Sequence, residues 1–493
     1  MKHKVRILTE NAIEKEIWAK GNLLEALRQN NLAPEAICGG AGSCGKCKVW
    51  VDGEAVLACR TEIVRDIEVR LCPKEKMTVL TEGVKQAVPF SPIKTGYLIA
   101  VDIGTTTIVC YLLDQADGKE LGNASMLNPQ SEYGADVVTR IQAAMAGKME
   151  EMVQKTRTGV MNLIEQLCAD ALITCREIGV IALVGNPTMQ QLFFGITLEN
   201  LIKIPFYPVF TKTEIISAKE YLAACKNAEL LLIPDISGYI GADTIGAVLA
   251  CGMDQSDKIT LLVDIGTNGE MVLGNQNRMI ACSTAAGPAL EGAGIRFGMR
   301  GADGAIDHVW TDGGKIQYHV IGEREAKGIC GSGIIDAAAA ALDMGVFNER
   351  GRIAEMEEID GTRIWRLSEN VYLTQEDIRA VQLAKGAIAA GIEQLALQYG
   401  ISIEAIDQVY LAGAFGSYLD KYSACRIGLL PLLLEKKIIS IGNAAGSGAK
   451  QLVCCKEQME KAQRLAEQIE VIELSESPDF QKIFAKCMKF PKE

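Results

Sequence analysis

Val101-Asp102-Ile103-Gly104-Thr105-Thr106-Thr107 returns later in the chain as Val263-Asp264-Ile265-Gly266-Thr267-Asn268-Gly269, each copy lying between two apolar runs rich in β-formers. A run, a tight Gly-Thr turn and a second run read as a β-hairpin, so the chain carries one hairpin twice. In each half a further buried strand ends on glycine, first VIALVGNPTM around Gly185 and then QVYLAGAFGS around Gly413 and Gly416. Between these lie helical stripes, one of Val160, Ile164, Leu167 and Ala171, the other of Ile378, Val381, Lys385, Ile388 and Ile392. Strands alternating with helices define an α/β architecture built by duplication. A charged helix near 456–468, a strand from Ile469 to Leu474 and the segment PDFQKIFAKCMKF close it.

In each repeat an Asp ends a buried strand, and the following Gly-Thr turn can aim backbone N–H groups and hydroxyls at phosphate oxygens. Asp102, Gly104, Thr105 and Thr106 would form one jaw, and Asp264, Gly266, Thr267 and Asn268 the other, each Asp holding magnesium directly or through water. A single such turn is often just a capped hairpin. A duplicate followed by a glycine-ended strand is a stronger signal. Glu270, three positions after Thr267, would either orient the attacking water or anchor magnesium.

Four of the 16 Cys crowd into the N-terminal region as Cys38, Cys44, Cys47 and Cys59, a C-x5-C-x2-C-x11-C pattern. Gly39, Gly40, Gly42, Ser43 and Gly45 let backbone N–H groups approach sulfur without a Cβ clash. Strands at Lys48–Val51 and Ala55–Ala58, joined by Asp52-Gly53-Glu54, return the chain so that Cys59 supplies a fourth ligand. A zinc site also takes four Cys, but it usually presents two CxxC pairs, and only Cys44–Cys47 is one. Gly40 to Lys46 matches the opening of a P-loop, yet the next residue is Cys47 rather than Ser or Thr, so no magnesium-binding hydroxyl follows.

The remaining candidates carry less. His3, His308 and His319 are dispersed along the chain, Cys282 and Cys330 read as small buried residues, and the vicinal Cys454 and Cys455 suit helix positions better than one metal. The charged run from Lys456 to Glu470 reads as a solvated helix face.

Composition bounds the function. With 50 basic against 62 acidic residues the net charge is −12, which leaves no broad basic surface for nucleic acid. No apolar run reaches the roughly 18 to 20 residues of a membrane span, and MKHKVRILTE lacks a signal-peptide core, so a cytoplasmic protein with reduced thiols is expected. The stretch 73–96, with Pro89 and Pro92, reads as a linker, dividing the chain into a head at 1–88, a join at 89–96 and a second unit at 97–493. The head holds 14 basic and 12 acidic side chains, leaving −14 for the rest, a charge difference that favours weak docking.

The cysteine pattern resembles the 2Fe-2S ferredoxin fold. Its first gap is one residue longer than the plant-type C-x4-C-x2-C, and its last gap is of the short kind found in succinate dehydrogenase and the molybdenum hydroxylases. The paired turns resemble the actin, sugar kinase and heat-shock chaperone ATPase superfamily, in which VYLAGAFG, with Gly413, Ala414 and Gly416, looks like the adenosine motif. VGNPTM near Gly185 and the helix holding Lys385 and Gly386 occupy the places of its connecting elements. With STAAGPALEGAGI, FGMRGADGAID, KGICGSGIIDA, IGNAAGSGA and the tail IEVIELSESPDFQKIFAKCMKFP, nearly the whole chain is similar to the ATP-dependent reductive activators of corrinoid proteins. Larger members carry a further domain at the join, where this chain has only a short linker.

The resemblance implies a ferredoxin-like α+β head followed by a two-lobe actin-like ATPase, with a 2Fe-2S cluster, ATP and Mg2+ as cofactors. It implies transfer of one electron to an inactive Co(II) corrinoid protein of a methyltransferase system, restoring methyl-accepting Co(I). A plant-type 2Fe-2S centre lies near about −400 mV, above the Co(II)/Co(I) couple, which gives ATP its purpose. The electron donor is unidentified, and the oligomeric state, a homodimer included, is open. Two other readings share these features: an activator of a radical dehydratase, which couples ATP in this fold to low-potential electron transfer, and a small-molecule kinase with an appended redox domain. A binding module that holds ATP without hydrolysing it is a third.

Overall fold

A computed structural model describes the chain apart from residues 1, 9–13, 31, 35, 37, 43, 44, 72–80, 85–87, 355, 356, 360 and 493. In the head, five strands lie in the order Glu14–Ala19, His3–Leu8, Ile67–Leu71, Lys48–Val51 and Glu54–Leu57, the second and third parallel and the other neighbours antiparallel. Val5, Ile7, Val49 and Val69 turn one face of this sheet toward Leu23, Leu24 and Leu27 of the helix Leu23–Arg28. Asn22 caps that helix, its side chain accepting from the N–H groups of Leu24 and Glu25 at 3.1 and 3.4 Å. The expected hairpin is present with a tighter turn. Glu54 pairs with Val51, and Ala58 opens a helical turn instead of ending the strand. Asp52 and Gly53 both have positive φ, 50° and 90°, the backbone that a two-residue turn needs to match strand twist.

From residue 97 onward the duplication is explicit. One six-stranded sheet has the order Glu120–Leu127, Thr107–Leu113, Tyr97–Ile103, Ile178–Gly185, Glu229–Leu232, Glu214–Ser217. The other has the order Arg278–Thr284, Gly269–Asn275, Thr260–Ile265, Gln408–Ala412, Ile438–Gly442, with Glu470–Val471 added beside Arg278–Thr284. In both, an antiparallel hairpin sits beside a strand parallel to its first arm: Ile178–Gly185 along Tyr97–Ile103, and Gln408–Ala412 along Thr260–Ile265. The helical stripes fall in Met149–Asp170 and Gln375–Tyr399, with Ala171 just past the end of the first.

Two expectations change near the C-terminus. The strand foreseen from Ile469 to Leu474 shortens to Glu470–Val471, because after Ile472 N–H bonds Ala281 C=O the chain leaves the sheet edge and buries Leu474 in the second lobe. Cys455 is an extended residue between the helices Ala444–Cys454 and Lys456–Gln468 rather than part of either.

The two sheets share one core. Ala100, Val109 and Val180 from the first and Leu262, Val272 and Ala281 from the second enclose Ile245 and Val248 of the helix Ala242–Cys251 and Leu452 and Val453 of Ala444–Cys454. These helices cross backbone to backbone: a Cβ on Gly448 would lie 2.1 Å from Gly246 O, and one on Gly246 would lie 3.0 Å from Ala445 O. The described part of the stretch 73–96 straps this crossing. Asn443 N–H donates to Glu82 O at 2.8 Å, Tyr111 OH donates to Thr81 O at 2.8 Å, and Ser91 N–H donates to Cys454 O at 2.8 Å. Residues 72–80 and 85–87 of the stretch read as a linker lie outside the described residues.

Gly448→Ala is expected to force the helices apart at a cost of about 2–3 kcal/mol, seen as a lower thermal midpoint together with weaker nucleotide binding. An unchanged midpoint would show that the crossing yields without strain.

Candidate functional site

The first repeated turn is braced from behind. Asn128 Nδ2 donates to Gly104 O at 2.8 Å, Asn128 N–H to Thr106 O at 2.9 Å, and the buried Arg140 guanidinium to Thr105 O at 2.6 Å. In a trans peptide C=O and N–H point opposite ways, so holding these carbonyls back turns the N–H groups of the turn outward. Asn186, directly after Gly185, donates to Thr105 Oγ1 at 3.1 Å. The VGNPTM segment therefore meets the turn. Lys385 does not: it is buried against the C-terminal tail, donating to Lys489 O with its ammonium 5.2 Å from the Phe490 ring centroid. In the second turn Gly266 N–H donates to Asn268 O at 3.0 Å.

The two turns face each other across the shared core, and carboxylates gather between them. Burial, then Asp243 and Asp264, pushes Asp102 up to about 7. Burial, then Asp243 and Glu291, pushes Asp264 up to about 7. Burial raises Asp243 itself to about 6, against backbone hydrogen bonds at the start of its helix. Glu270, cross-strand partner of Asp264, is raised well above its ordinary range by burial and by Asp243 and Asp264, although Ser283 Oγ donates to it at 3.3 Å. Asp102 also accepts from Asn443 Nδ2 at 2.9 Å.

Such a set repels itself unless protonated or neutralised. Among the described residues no three His, Cys, Asp or Glu converge closely enough to hold an ion alone. Magnesium commonly takes one or two carboxylates and completes its shell with water and substrate phosphate, and Asp102 and Asp264 offer one carboxylate from each turn. Asp243 and Glu291 escaped the sequence reading. Neither lies in a repeated motif, and only the fold brings the first turn of one helix and a loop after Arg278–Thr284 to the cleft.

Gly413 approaches the second turn so closely that a Cβ would lie 2.6 Å from Asp264 Oδ1, and its φ of +84° favours glycine in any case. Gly413, Ala414 and Gly416 lie on the helix Gly413–Tyr418. Beside it opens a cavity of about 760 Å3 lined by Ser417, Tyr418 and Asp420 on one side and by His308, His319 and Asp336 on the other. His308 and His319, dispersed in sequence, are cross-strand partners, with Nδ1 atoms 3.1 Å from Asp336 and 2.6 Å from Asp307.

In the head, Cys47 is buried and Cys38 and Cys59 are half-buried, while Cys44 lies outside the described residues. Ala58 N–H donates to Cys47 O at 2.8 Å, so the hairpin sets the residue before Cys59 against Cys47, and Asn22 Nδ2 donates to Cys59 O at 2.9 Å. Gly39, Gly40, Gly42 and Gly45 all take positive φ, which folds the loop inward as wrapping an inorganic cluster requires. Cys38 and Cys47 at the two ends of this loop, Cys59 in the helical turn Ala58–Arg60 and, by sequence, Cys44 within the loop supply the four thiols a 2Fe-2S centre takes.

The head sits on the first lobe. Buried Arg28 donates to Glu25, Gly39 O and Glu132 O and lies 5.2 Å from the Tyr133 ring centroid. Lys148 pairs with Glu25 at 2.5 Å. That pair runs opposite to the overall charges, an acid from the basic head meeting a base from the acidic remainder.

Residues 8–71 match the family model of the 2Fe-2S iron-sulfur cluster binding domain, 97–256 that of the RACo middle region, and 258–493 that of the C-terminal domain of RACo, the ASKHA domain. The chain belongs to this family, joining a 2Fe-2S domain to an actin-like ATPase. It is 37% identical over 438 residues to the corrinoid activation enzyme RamQ of Eubacterium limosum, covering 82% of this chain and 73% of that protein. It is 28% identical over 409 residues to the reductase of the Co(II) methylated amine-specific corrinoid protein of Methanosarcina barkeri, covering 76% and 73%. Among solved structures, a reductive activator for a corrinoid iron-sulfur protein superposes with a TM-score of 0.72 at 27% identity, over 99% of this chain and 98% of that one. No described helix is long and apolar enough to cross a membrane.

The carboxylate cluster sets a pH dependence. Asp102, Asp243 and Asp264 hold protons more tightly folded than unfolded, so their contribution to stability is complete below about pH 4 and is lost as pH rises through about 6 to 7. Asp243→Asn is therefore expected to stabilise the nucleotide-free protein at pH 8 by about 2 kcal/mol while leaving it unchanged at pH 4. Melting curves across that range check this, and equal midpoints at pH 8 would refute it.

Proposed function

We propose that the chain is an ATP-dependent reductive activator of a corrinoid protein belonging to a methyltransferase system. Residues 1–88 form the redox head, 89–96 the join and 97–493 the ATPase. Cys38, Cys44, Cys47 and Cys59 hold a 2Fe-2S cluster, which supplies one electron, taken from a low-potential donor, to reduce Co(II) to Co(I). The observation that carries this reading is the coexistence, in one docked unit, of the glycine-wrapped cysteine loop and the facing Asp-Ile-Gly-Thr turns.

Each part of the cleft then has a task. Thr105, Thr106, Thr267 and Asn268, with Gly104 and Gly266, surround the phosphates. Asp102, Asp243 and Asp264 would hold Mg2+ through its water shell, and the cation's charge would offset the burial of all three and the carboxylate repulsion that adds to it at Asp102 and Asp264. Glu270 loses its proton under the same relief and orients the attacking water from its place opposite Asp264. Gly413, Ala414 and Gly416 let the nucleoside lie along the helix backbone, with the base toward the cavity beside Ser417. Because the cobalt couple lies below the cluster's, closure of the lobes must favour the reduced partner by differential binding. A factor of about 30 to 1000 in binding spans a gap of roughly 90 to 180 mV for one electron.

Purified protein is expected to contain two iron and two acid-labile sulfide per chain, lost in Cys44→Ala. Stoichiometric zinc without sulfide would remove the redox half of the reading. Reduced protein mixed anaerobically with a base-off Co(II) corrinoid protein is expected to yield Co(I), followed by visible spectroscopy, only with ATP and magnesium. Asp102→Ala or Asp264→Ala is expected to abolish that yield with the cluster spectrum intact. Equal Co(I) with and without ATP, at matched electron supply, would show that ATP does not drive the step.

A further inference from the structure

Glu291 ends the helical turn Pro288–Glu291, and its carboxylate accepts from Thr106 Oγ1 at 3.0 Å and from Thr267 Oγ1 at 3.5 Å, one hydroxyl from each repeated turn. Burial raises the proton affinity of this carboxyl, and the two hydroxyls together with the positive charges of Arg300 and Arg140 oppose that rise. Two hydroxyl donors backed by two guanidinium groups make an anion site. Here the anion is the protein's own side chain, lodged between the turns where a terminal phosphoryl group would need the same hydroxyls.

Beyond Glu291 the backbone has no slack. A Cβ on Gly298 would fall 1.9 Å from Gly292 O, and one on Gly292 would fall 2.7 Å from Met299 O, so the segment from 292 to 299 is folded backbone on backbone. Gly298 N–H donates to Ile295 O at 3.0 Å, and Gly298 O accepts from Lys46 Nζ at 2.7 Å. Lys46 stands between Cys44 and Cys47 in the cysteine loop. The other end of that loop is pressed on the first lobe: a Cβ on Gly39 would lie 2.9 Å from Tyr133 O, and the next residue, Gly134, accepts from Arg140 Nε at 3.0 Å. Arg140 in turn holds Thr105 O. The cysteine loop is thus gripped from both lobes, each time through residues that reach a phosphate turn within a few bonds.

We propose that Glu291 is a positioning residue that senses the terminal phosphate. Without nucleotide it latches the two turns together; an incoming phosphoryl group takes over Thr106 and Thr267, and the tight segment 292–299 carries the displaced residue's motion to Lys46 at the cluster loop. This rests on the reading of the head as cluster-binding and of the turns as ATP-binding. By linkage, a nucleotide that changes the cluster's surroundings must be bound with different affinity by its oxidised and reduced forms.

The test uses full-length, cluster-loaded protein, oxidised or dithionite-reduced under anaerobic conditions. The Kd of a non-hydrolysable ATP analogue with magnesium is measured by calorimetry in both states, and the cluster's midpoint potential and EPR spectrum are recorded with and without the analogue. In the wild type the two Kd values are expected to differ by about fivefold or more, with a matching shift in potential, tenfold corresponding to about 59 mV for one electron. Glu291→Gln keeps the shape and removes the charge: the analogue is expected to bind roughly tenfold tighter and the state dependence to collapse. Lys46→Met is expected to keep the oxidised-state Kd within roughly twofold of wild type while losing the dependence on cluster state. Equal Kd values in both states of the wild type, or weaker binding by Glu291→Gln as loss of a phosphate or magnesium ligand would give, overturns the proposal and leaves the functional reading standing. A wild type that holds no cluster or binds no nucleotide would overturn both.

Discussion

The contact of Gly246 with Gly448 is the constraint on which the rest depends. Two helices from different halves of the chain meet with no side chain between them, and that closeness sets the spacing of the sheets on either side. The repeated turns sit at the ends of the central strands of those sheets, so their separation is inherited from the helix crossing. A larger residue at either glycine would widen the cleft where Glu291 now spans from Thr106 to Thr267. Glycine is therefore used here for proximity, not for backbone freedom, since neither position has a positive φ.

Electrostatics is the second consequence. Bringing the turns together brings Asp102, Asp243, Asp264 and Glu270 into a region where burial raises the proton affinity of each, and where neighbouring carboxylates raise that of Asp102, Asp264 and Glu270 further. Asn443 ties this cleft to the stretch 73–96, because its side chain holds Asp102 and Tyr111 while its backbone N–H holds Glu82. The path from head to ATPase therefore passes one hydrogen bond from a carboxylate of the site.

The docked head gives the arrangement its directional character. Arg28, buried at the interface, satisfies carbonyls of both units, and breaking that contact would strand a guanidinium in a poorly solvated place. Lys46 reaches the other lobe. A cluster loop touching both lobes experiences any change in their separation, a mechanical condition for coupling nucleotide state to redox state without a long relay.

Local chemistry determined much of this before any tertiary contact was known. The apolar runs rich in β-formers around Asp102 and Asp264 specify hairpins wherever they are placed, because strand-forming and turn residues act over a few residues. The spacing of Cys38, Cys44, Cys47 and Cys59 with intervening glycines likewise marks one loop and its returning hairpin. What tertiary structure alone decided are the encounters between distant segments: Asp243 entering the carboxylate cluster, Glu291 bridging two turns, and Glu25 of the head meeting Lys148 of the first lobe. None of these leaves a periodic or short-range trace in the sequence. Each follows from how the two helices cross and where the sheets then place their loops, a global packing outcome that no single segment encodes.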